Sequence, residues 1–458
     1  MNKQNQRIEL LGETPIPKAL LSMGLPTMTG MLINALYNLA DTYFVGGLGT
    51  DSMAAVTVAF PLGQIIVGLG LLFGNGAAAY LSRLLGRNER QTANHTASTA
   101  LYSSILIGGL AIFFCVIFLE PILRQFGTPD HIMPMAMSYT QIYIIFSIFN
   151  IFNVTMNNIV SSEGAAKTAM CTLMIGAVIN VLLDPFFIYT LKLGVCGAAI
   201  ATAISQIISS IIYIFYILRK KSIFCFRIRE CRFSKKILSE ILKIGIPTFM
   251  FQILTSASIA MINDAAKVYG SSALASMGPV TKITSMGTLV VYGFLKGFQP
   301  IAGFSYGAKK YDRLQEAIQT AILWSTVFCI IFGLLSVVFP AQIMSMFSTY
   351  DKEMIRIGQQ ALRANGLSFL LFGFYTTYSF LFLVMGKAKE GCFLGACRQG
   401  ICFLPVILLL PRVWGLNGVI LAQPLADVLS AVITGYMAIR LHRELATDRQ
   451  EGNPQTNR

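Results

Sequence analysis

Charge is what this sequence has least of. Only 12% of its 458 residues are Asp, Glu, Lys or Arg, about half the share usual in a soluble domain. That scarcity excludes a chain solvated on every side, and a hydrophobic content of 55% with a mean hydropathy of +0.64 points to a protein dissolved largely in lipid. Histidine is nearly absent: His95, His131 and His442 lie scattered at or near loops. An enzyme embedded in the membrane needs a repeated His, Cys or Ser constellation, and none is present. The nine cysteines fall mostly inside apolar blocks, and Cys392, Cys397 and Cys402 are spaced by five, which suits neither a metal site nor a redox pair. They read as small buried hydrophobes. Short alternating strands are missing too, which argues against a transmembrane barrel, and no filter-like motif suggests a passive channel.

Long apolar runs are what the chain has instead, such as residues 105–119, 207–218 and 322–339. With their flanks they approach the roughly 20 residues that cross a bilayer as a helix. The expected fold is therefore an all-α integral membrane protein of about twelve transmembrane helices. Residues 1–18 are polar and the first apolar segment, from Ala19, outruns a signal peptide, so this segment reads as a retained first helix.

The formal charge of +14 does not imply nucleic acid, because its distribution is that of a topology signal. Alternate loops carry Arg83, Arg87 and Arg90, the basic run from Arg219 to Lys243, Lys309, Lys310 and Arg313, and Lys387, Lys389 and Arg398. The opposite loops hold only isolated cations such as Arg124, Lys192 and Arg412. Basic loops stay inside, so both termini and the central loop are expected in the cytoplasm.

An internal repeat organises the chain. Gly24-Leu25-Pro26 recurs as Gly245-Ile246-Pro247, a shift of 221 residues that also carries Gly49 to Gly270, Gly76 to Gly297, Gly86 to Gly307, Phe126 to Phe347, Thr128 to Thr349, Gly194 to Gly415 and Gly197 to Gly418. Both halves start on the same side, which makes two parallel six-helix bundles. The expected division is an N-terminal lobe over 1–218, a linker over 219–236, partly helical on the membrane surface, a C-terminal lobe over 237–440 and a tail over 441–458. Pro26, Pro61, Pro247, Pro279, Pro300 and Pro424 fall inside spans, where each removes a backbone donor.

Polar residues within the spans are few, and their spacing is informative. Asn34, Tyr37, Asn38 and Asp41 share one face of the first helix, Asn153 and Asn157 lie a turn apart on the fourth, and Asn180 and Asp184 do so on the fifth. Thr202, Ser205 and Gln206 form a stripe on the sixth. Lipid offers such groups no partner, so they face inward together. Asp41 and Asp184 have no basic residue within a first-half span. Each must hold a proton or bind a cation, because a bare buried charge costs several kcal/mol. Asp184 precedes Pro185 and could also simply end its helix. The repeat positions of these acids are Ile262 and Pro405, so cation coupling is expected in the first half. The second half offers Asp264, Lys267 and Lys296 as candidates, with Asp264 and Lys267 spaced to pair on one helix face, and Lys282, Arg363 and Asp427 beside them.

The stretch Tyr37-Asn38-Leu39-Ala40-Asp41, followed by Val45-Gly46-Gly47-Leu48-Gly49, resembles the first helix of the multidrug and toxic compound extrusion (MATE) family. Glu163-Gly164-Ala165-Ala166-Lys167, Asn180-Val181-Leu182-Leu183-Asp184-Pro185, Gly194-Val195-Cys196-Gly197 and Gln299-Pro300 with Tyr306-Gly307-Ala308-Lys309 extend the resemblance from about Pro15 to Arg440. The resemblance implies twelve helices in two lobes around a cleft, and a secondary active antiporter exporting organic cations and other drugs against H⁺ or Na⁺. It implies a cation site at Asp41, Asn180, Asp184 and Thr202, which would also hold Na⁺. Cargo contacts are expected at Tyr37, Asn38, Asn153, Asn157 and Gln206, with Tyr139 and Tyr143 available for stacking. No cofactor beyond the coupling ion is expected. The partners are small drugs or organic cations and the lipid bilayer, with no nucleic acid, and the chain is expected to work as a monomer in the plasma (inner) membrane. A flippase for lipid-linked sugars would carry cleft arginines for a pyrophosphate, which the first-half spans lack.

Cysteines introduced near Thr128 or Thr349 should react with an impermeant thiol reagent added outside, and cysteines near Arg87, Cys231 and Lys310 should not. Labelling of Arg87 and Lys310 positions from opposite sides would break the parallel repeat.

Overall fold

The computed structural model describes residues 3–48, 50–125, 128, 130–232, 234–345 and 352–451. Gly49, Phe126, Phe347 and Thr349 of the repeat lie outside them. In chain order the helices are α1 (Lys3–Gly12), α2 (Ile16–Gly46), α3 (Thr50–Gly86), α4 (Arg90–Ile117), α5 (Leu119–Gln125), α6 (Met133–Ser162), α7 (Ala166–Pro185) and α8 (Gly194–Leu218). After the linker come α9 (Lys235–Lys267), α10 (Ser271–Gly307), α11 (Tyr311–Val338), α12 (Pro340–Ser345), α13 (Lys352–Phe369), α14 (Phe372–Val384), α15 (Ala388–Ala396), α16 (Phe403–Trp414) and α17 (Leu416–Glu451). Among the described residues there is no strand. Ten helices are long and apolar enough to cross a membrane, and α13 with α14, bent by 52°, makes an eleventh span. The 37-residue α10 completes two sets of six. The protein is an all-α integral membrane protein.

The repeat extends to the backbone. Asn88 and Lys309, one shift apart, both adopt left-handed φ, 59° and 57°. The two lobes meet through repeat-related glycines, where helices approach too closely for a side chain. A Cβ on Gly297 of α10 would strike the backbone of Gly24 in α2, and one on Gly76 of α3 would strike Ile241 in α9. These are the same contact taken twice, because Gly24 and Gly76 map onto Gly245 and Gly297. At the ends of α3 and α10, Gly86 and Gly307 likewise each sit against the other helix's backbone. Small residues let backbones touch in a medium where dispersion, not water exclusion, holds helices together.

These contacts lie toward the face that carries both chain ends. From there the lobes stay joined up to Gln252, midway along α9, whose Nε2 donates to Gln64 at 2.9 Å. Polar clasps finish the seal. Arg83 at the end of α3 donates to Glu240 of α9 at 3.0 Å and to the Met385 carbonyl at 3.4 Å, lying where Gly386 (φ 82°) has no side chain. The polar N-terminal residues are not a featureless tail. α1 buries Leu11 and abuts both lobes: Arg7 pairs with buried Glu163 at 3.1 Å, while Arg313 and Lys310 donate to the Leu11 and Gly12 carbonyls. Arg313 and Lys310 thus meet carbonyls that the last turn of α1 leaves open.

The linker departs from the expected surface helix. It is mostly extended, with one short 3₁₀ turn at Ile228–Glu230, because α4 offers it a ladder of partners. Ser98 donates to the Cys225 carbonyl, Tyr102 to that of Phe226, and Thr99 to that of Arg232.

Gly297→Leu should force α2 and α10 apart at an overpacking cost of ~1–3 kcal/mol, read as a lowered unfolding temperature of the purified protein. Gly109 and Gly435 have open space around their Cβ positions, and Leu there should change stability by less than about 0.5 kcal/mol.

Candidate functional site

The polar stripes of the first lobe do come together. α7 and α8 are neighbours, and their inward faces align Asn180 and Asp184 with Thr202. Asn180 Nδ2 donates to Asp184 Oδ1 at 3.4 Å and to Thr202 Oγ1 at 3.3 Å. Asp184 and Asn180 are buried, so Asp184 is not a solvated helix end. α2 packs on α7 and brings half-buried Asp41 within electrostatic reach of Asp184, Tyr139 and Tyr143. The rings of Tyr139 and Tyr143 are stacked at 6.0 Å.

Three oxygens of this group have no hydrogen-bond donor: Asp41 Oδ1, Asn180 Oδ1 and Asp184 Oδ2. Buried acceptors without donors are costly, and a proton or a hard cation with oxygen ligands supplies what they lack. Two carboxylates, an amide oxygen and a hydroxyl are a donor set that fits Na⁺ as well as H⁺.

Deeper in the lobe the next residues bond to one another. Asn153 Nδ2 donates to the Gln206 carbonyl and to its Oε1, each at 2.8 Å, and Asn153 Oδ1 accepts from Ser210. Asn157 Nδ2 donates to Tyr213 Oη at 3.1 Å, and its Oδ1 accepts from Lys296 Nζ at 3.5 Å, across the lobe boundary. Asn34, Tyr37, Asn153, Asn180, Gln206 and Tyr213 line a cavity of about 40 Å³, with Gly176 and Ala177 in its wall. That holds two or three waters at roughly 10–15 Å³ each, but not a drug-sized ligand, which needs about 300 Å³ or more. Asn38 sits on an exposed part of α2, where its amide donates to the Asn34 carbonyl at 2.7 Å.

In the second lobe the expected pair does not form. Asp264 and Lys267 are both exposed near the end of α9, and no ion pair joins them; an exposed pair of this kind gains little from closing. Asp427 has a partner that sequence reading counted as a loop charge. Arg398 lies in a π-helical turn, Cys397–Ile401, inside the span formed by α15 and α16, and its Nε meets Asp427 Oδ1 at 3.0 Å. The signal was present: Arg398 interrupts an apolar run from Phe393 to Leu404, and an acid within a span requires a counter-charge. Glu163, quoted only as part of a motif, is the other buried acid with a tailored set of partners, namely Arg7, Tyr216, Ser222 and the Ile223 amide.

Two six-helix lobes sealed at one face, with an unpaired acidic site inside one of them, are the architecture of a membrane transporter. The chain belongs to the MatE family, which matches residues 26–186 and 245–409, one copy in each lobe. Members of this family are transporters, not enzymes. It is 26% identical over 449 residues to the multidrug export protein MepA of Staphylococcus aureus strain MSSA476, covering 98% of this chain and 99% of that one. MepA of Staphylococcus saprophyticus is 26% identical over 451 residues, with the same coverage. Among solved structures, a multidrug resistance MATE family transporter of the MOP superfamily in an outward-facing conformation superposes with a TM-score of 0.91. It is 25% identical, covering 96% of this chain and 98% of that one.

Thr202→Val keeps shape and removes one oxygen, so it should weaken stabilisation by Na⁺ or by acid pH by about two- to tenfold in midpoint, one hydrogen bond's worth. Asp264→Asn should leave the unfolding temperature unchanged, since no partner is lost. Thermal unfolding across Na⁺ and pH series reads both.

Proposed function

We propose that this chain exports small organic cations and other drugs in exchange for H⁺ or Na⁺ flowing inward, as a monomer in the plasma membrane with both ends in the cytoplasm. The observation that carries the reading is the cluster of donorless oxygens on Asp41, Asn180 and Asp184 in a lobe that supplies no internal counter-charge. The names of the staphylococcal relatives as multidrug export proteins support the cargo class, and the basic loops on the sealed face support the orientation.

On this reading the sealed face is cytoplasmic and the cleft between the lobes opens outward in this state. A cation entering from outside binds at Asp41 and Asp184 and cancels one of their negative charges, which lowers the first lobe's attraction for a cationic cargo and releases it. The lobes then rock, the cation leaves inside, and the recharged acids draw in the next cargo. Exchange requires only that cation and cargo favour different states by a few kcal/mol. Tyr37, Asn38, Asn153, Asn157 and Gln206 supply polar and ring surface beside the acids. A drug must contact them from the cleft, because the first-lobe cavity admits only water.

Asp41→Asn should reduce gradient-driven efflux from vesicles to background at matched protein levels, while folding stays intact. Asp184→Asn should do nearly as much harm. The double variant should add little, since residues acting as one unit are not additive. Imposing the Na⁺ and pH gradients separately identifies the ion. Wild-type coupled efflux in both single variants would falsify the assignment.

A further inference from the structure

Among the described residues, the one buried acid of the second lobe is Asp427, and it is fully partnered. Asp427 is 2% exposed and Arg398 is 7% exposed. Asp427 Oδ1 accepts from Arg398 Nε at 3.0 Å, from Tyr375 Oη at 3.1 Å and from Gln423 Nε2 at 3.0 Å, and its Oδ2 accepts from Ser368 Oγ at 3.0 Å. The guanidinium also lies over the Phe372 ring at 4.7 Å. Both carboxylate oxygens are therefore satisfied, whereas Asp184 in the first lobe leaves one without a donor.

The repeat gives this cluster its meaning. At the shift of 221, Gln423 and Asp427 occupy the positions of Thr202 and Gln206, on the helix that matches α8. Arg398 occupies the position of Ala177, in the wall of the first-lobe cavity, on the span that matches α7 and one turn before the mate of Asn180. The second lobe thus has a buried acid and its cation on the helix pair that matches α7 and α8, about two turns from the level of Asp184, whereas the first lobe has Asp184 on that pair, Asp41 on α2 and no cation beside them. An arginine cannot give up its proton or diffuse away.

We propose that Arg398 is a tethered counter-ion, which supplies permanently to the buried acid of the second lobe the positive charge that an exchangeable cation supplies to the acids of the first, and thereby confines cation exchange to one lobe. The inference rests on the antiport reading for what the first lobe binds. It goes beyond that reading in assigning the second lobe a charge that cannot turn over.

The test counts cations on purified full-length protein in nanodiscs, using H⁺ uptake after a pH jump and Na⁺ binding as separate probes. Arg398→Gln leaves Asp427 buried without a counter-charge and should bind about one more cation per chain than wild type. Arg398→Lys should match wild type, and so should Arg398→Gln combined with Asp427→Asn. An unchanged count in folded Arg398→Gln overturns the proposal. If Arg398→Gln does not fold, the neutral double variant decides: coupled efflux within about twofold of wild type supports a static pair, and coupling lost from a folded double variant makes Asp427 an exchanging acid and overturns it. Counting Asp41→Asn in the wild-type background keeps the two ideas apart. If that substitution removes no cation, the antiport site is wrong, yet the extra cation of Arg398→Gln can still be seen.

Discussion

A carboxylate inside a bilayer cannot remain bare, and the two lobes of this transporter meet that constraint in opposite ways. The first lobe leaves Asp41 and Asp184 without a basic partner, and on the antiport reading their charge is balanced by a cation that arrives and departs. The second lobe encloses Asp427 with Arg398 and three further donors, so nothing need arrive. Desolvation is severe in both places, but removing charge from water costs least when the compensating charge is held in good geometry with every lone pair filled. One lobe is built for turnover and the other for permanence, on a duplicated scaffold.

That scaffold is tied together by the absence of side chains as much as by their presence. Gly24 against Gly297 and Gly76 against Gly245 let two pairs of helices cross with backbones touching. The same duplication produces both contacts, which gives the seal a pseudo-twofold symmetry that the charged residues lack. Gln64 and Gln252 join the lobes midway along α9, and Arg83, Glu240 and the short α1 close the face that bears the chain ends.

Much of this was legible in the residues. The stripes on α7 and α8 follow helical periodicity, so Asn180, Asp184 and Thr202 could be placed on facing surfaces before their distances were known. The repeat, read from glycines and prolines, located the very positions where the lobes touch, although a sequence gives no sign that Gly297 meets Gly24 rather than lipid. Arg398 was misread because a basic residue near Lys387 and Lys389 looks like part of their loop, and only the π-helical turn carries it into the lobe. The linker's course was illegible for a different reason: it meets the hydroxyls of α4 through its own backbone carbonyls, which any residue provides. Asp264 and Lys267 had the right spacing to pair, but spacing on a helix face is decisive only where water is absent.

The symmetry of the seal and the asymmetry of the charges meet on α2. Asp41 lies about 25 Å along that helix from Gly24, so one rigid element carries both the acid and a contact that holds the lobes together. Pro26 stands beside that contact and removes a backbone donor from the turn above it. A bend there costs less than elsewhere in the helix, provided water or a neighbour satisfies the freed carbonyl. On the antiport reading, neutralising Asp41 alters how α2 packs against α7 at one end, and the weakened turn lets that change reach the seal at the other. The matching helix α9 has its own Pro247 and Gly245 but carries Ile262 where α2 carries Asp41. It can bend, but no cation bears on it, so the signal that opens the joint comes from one side only.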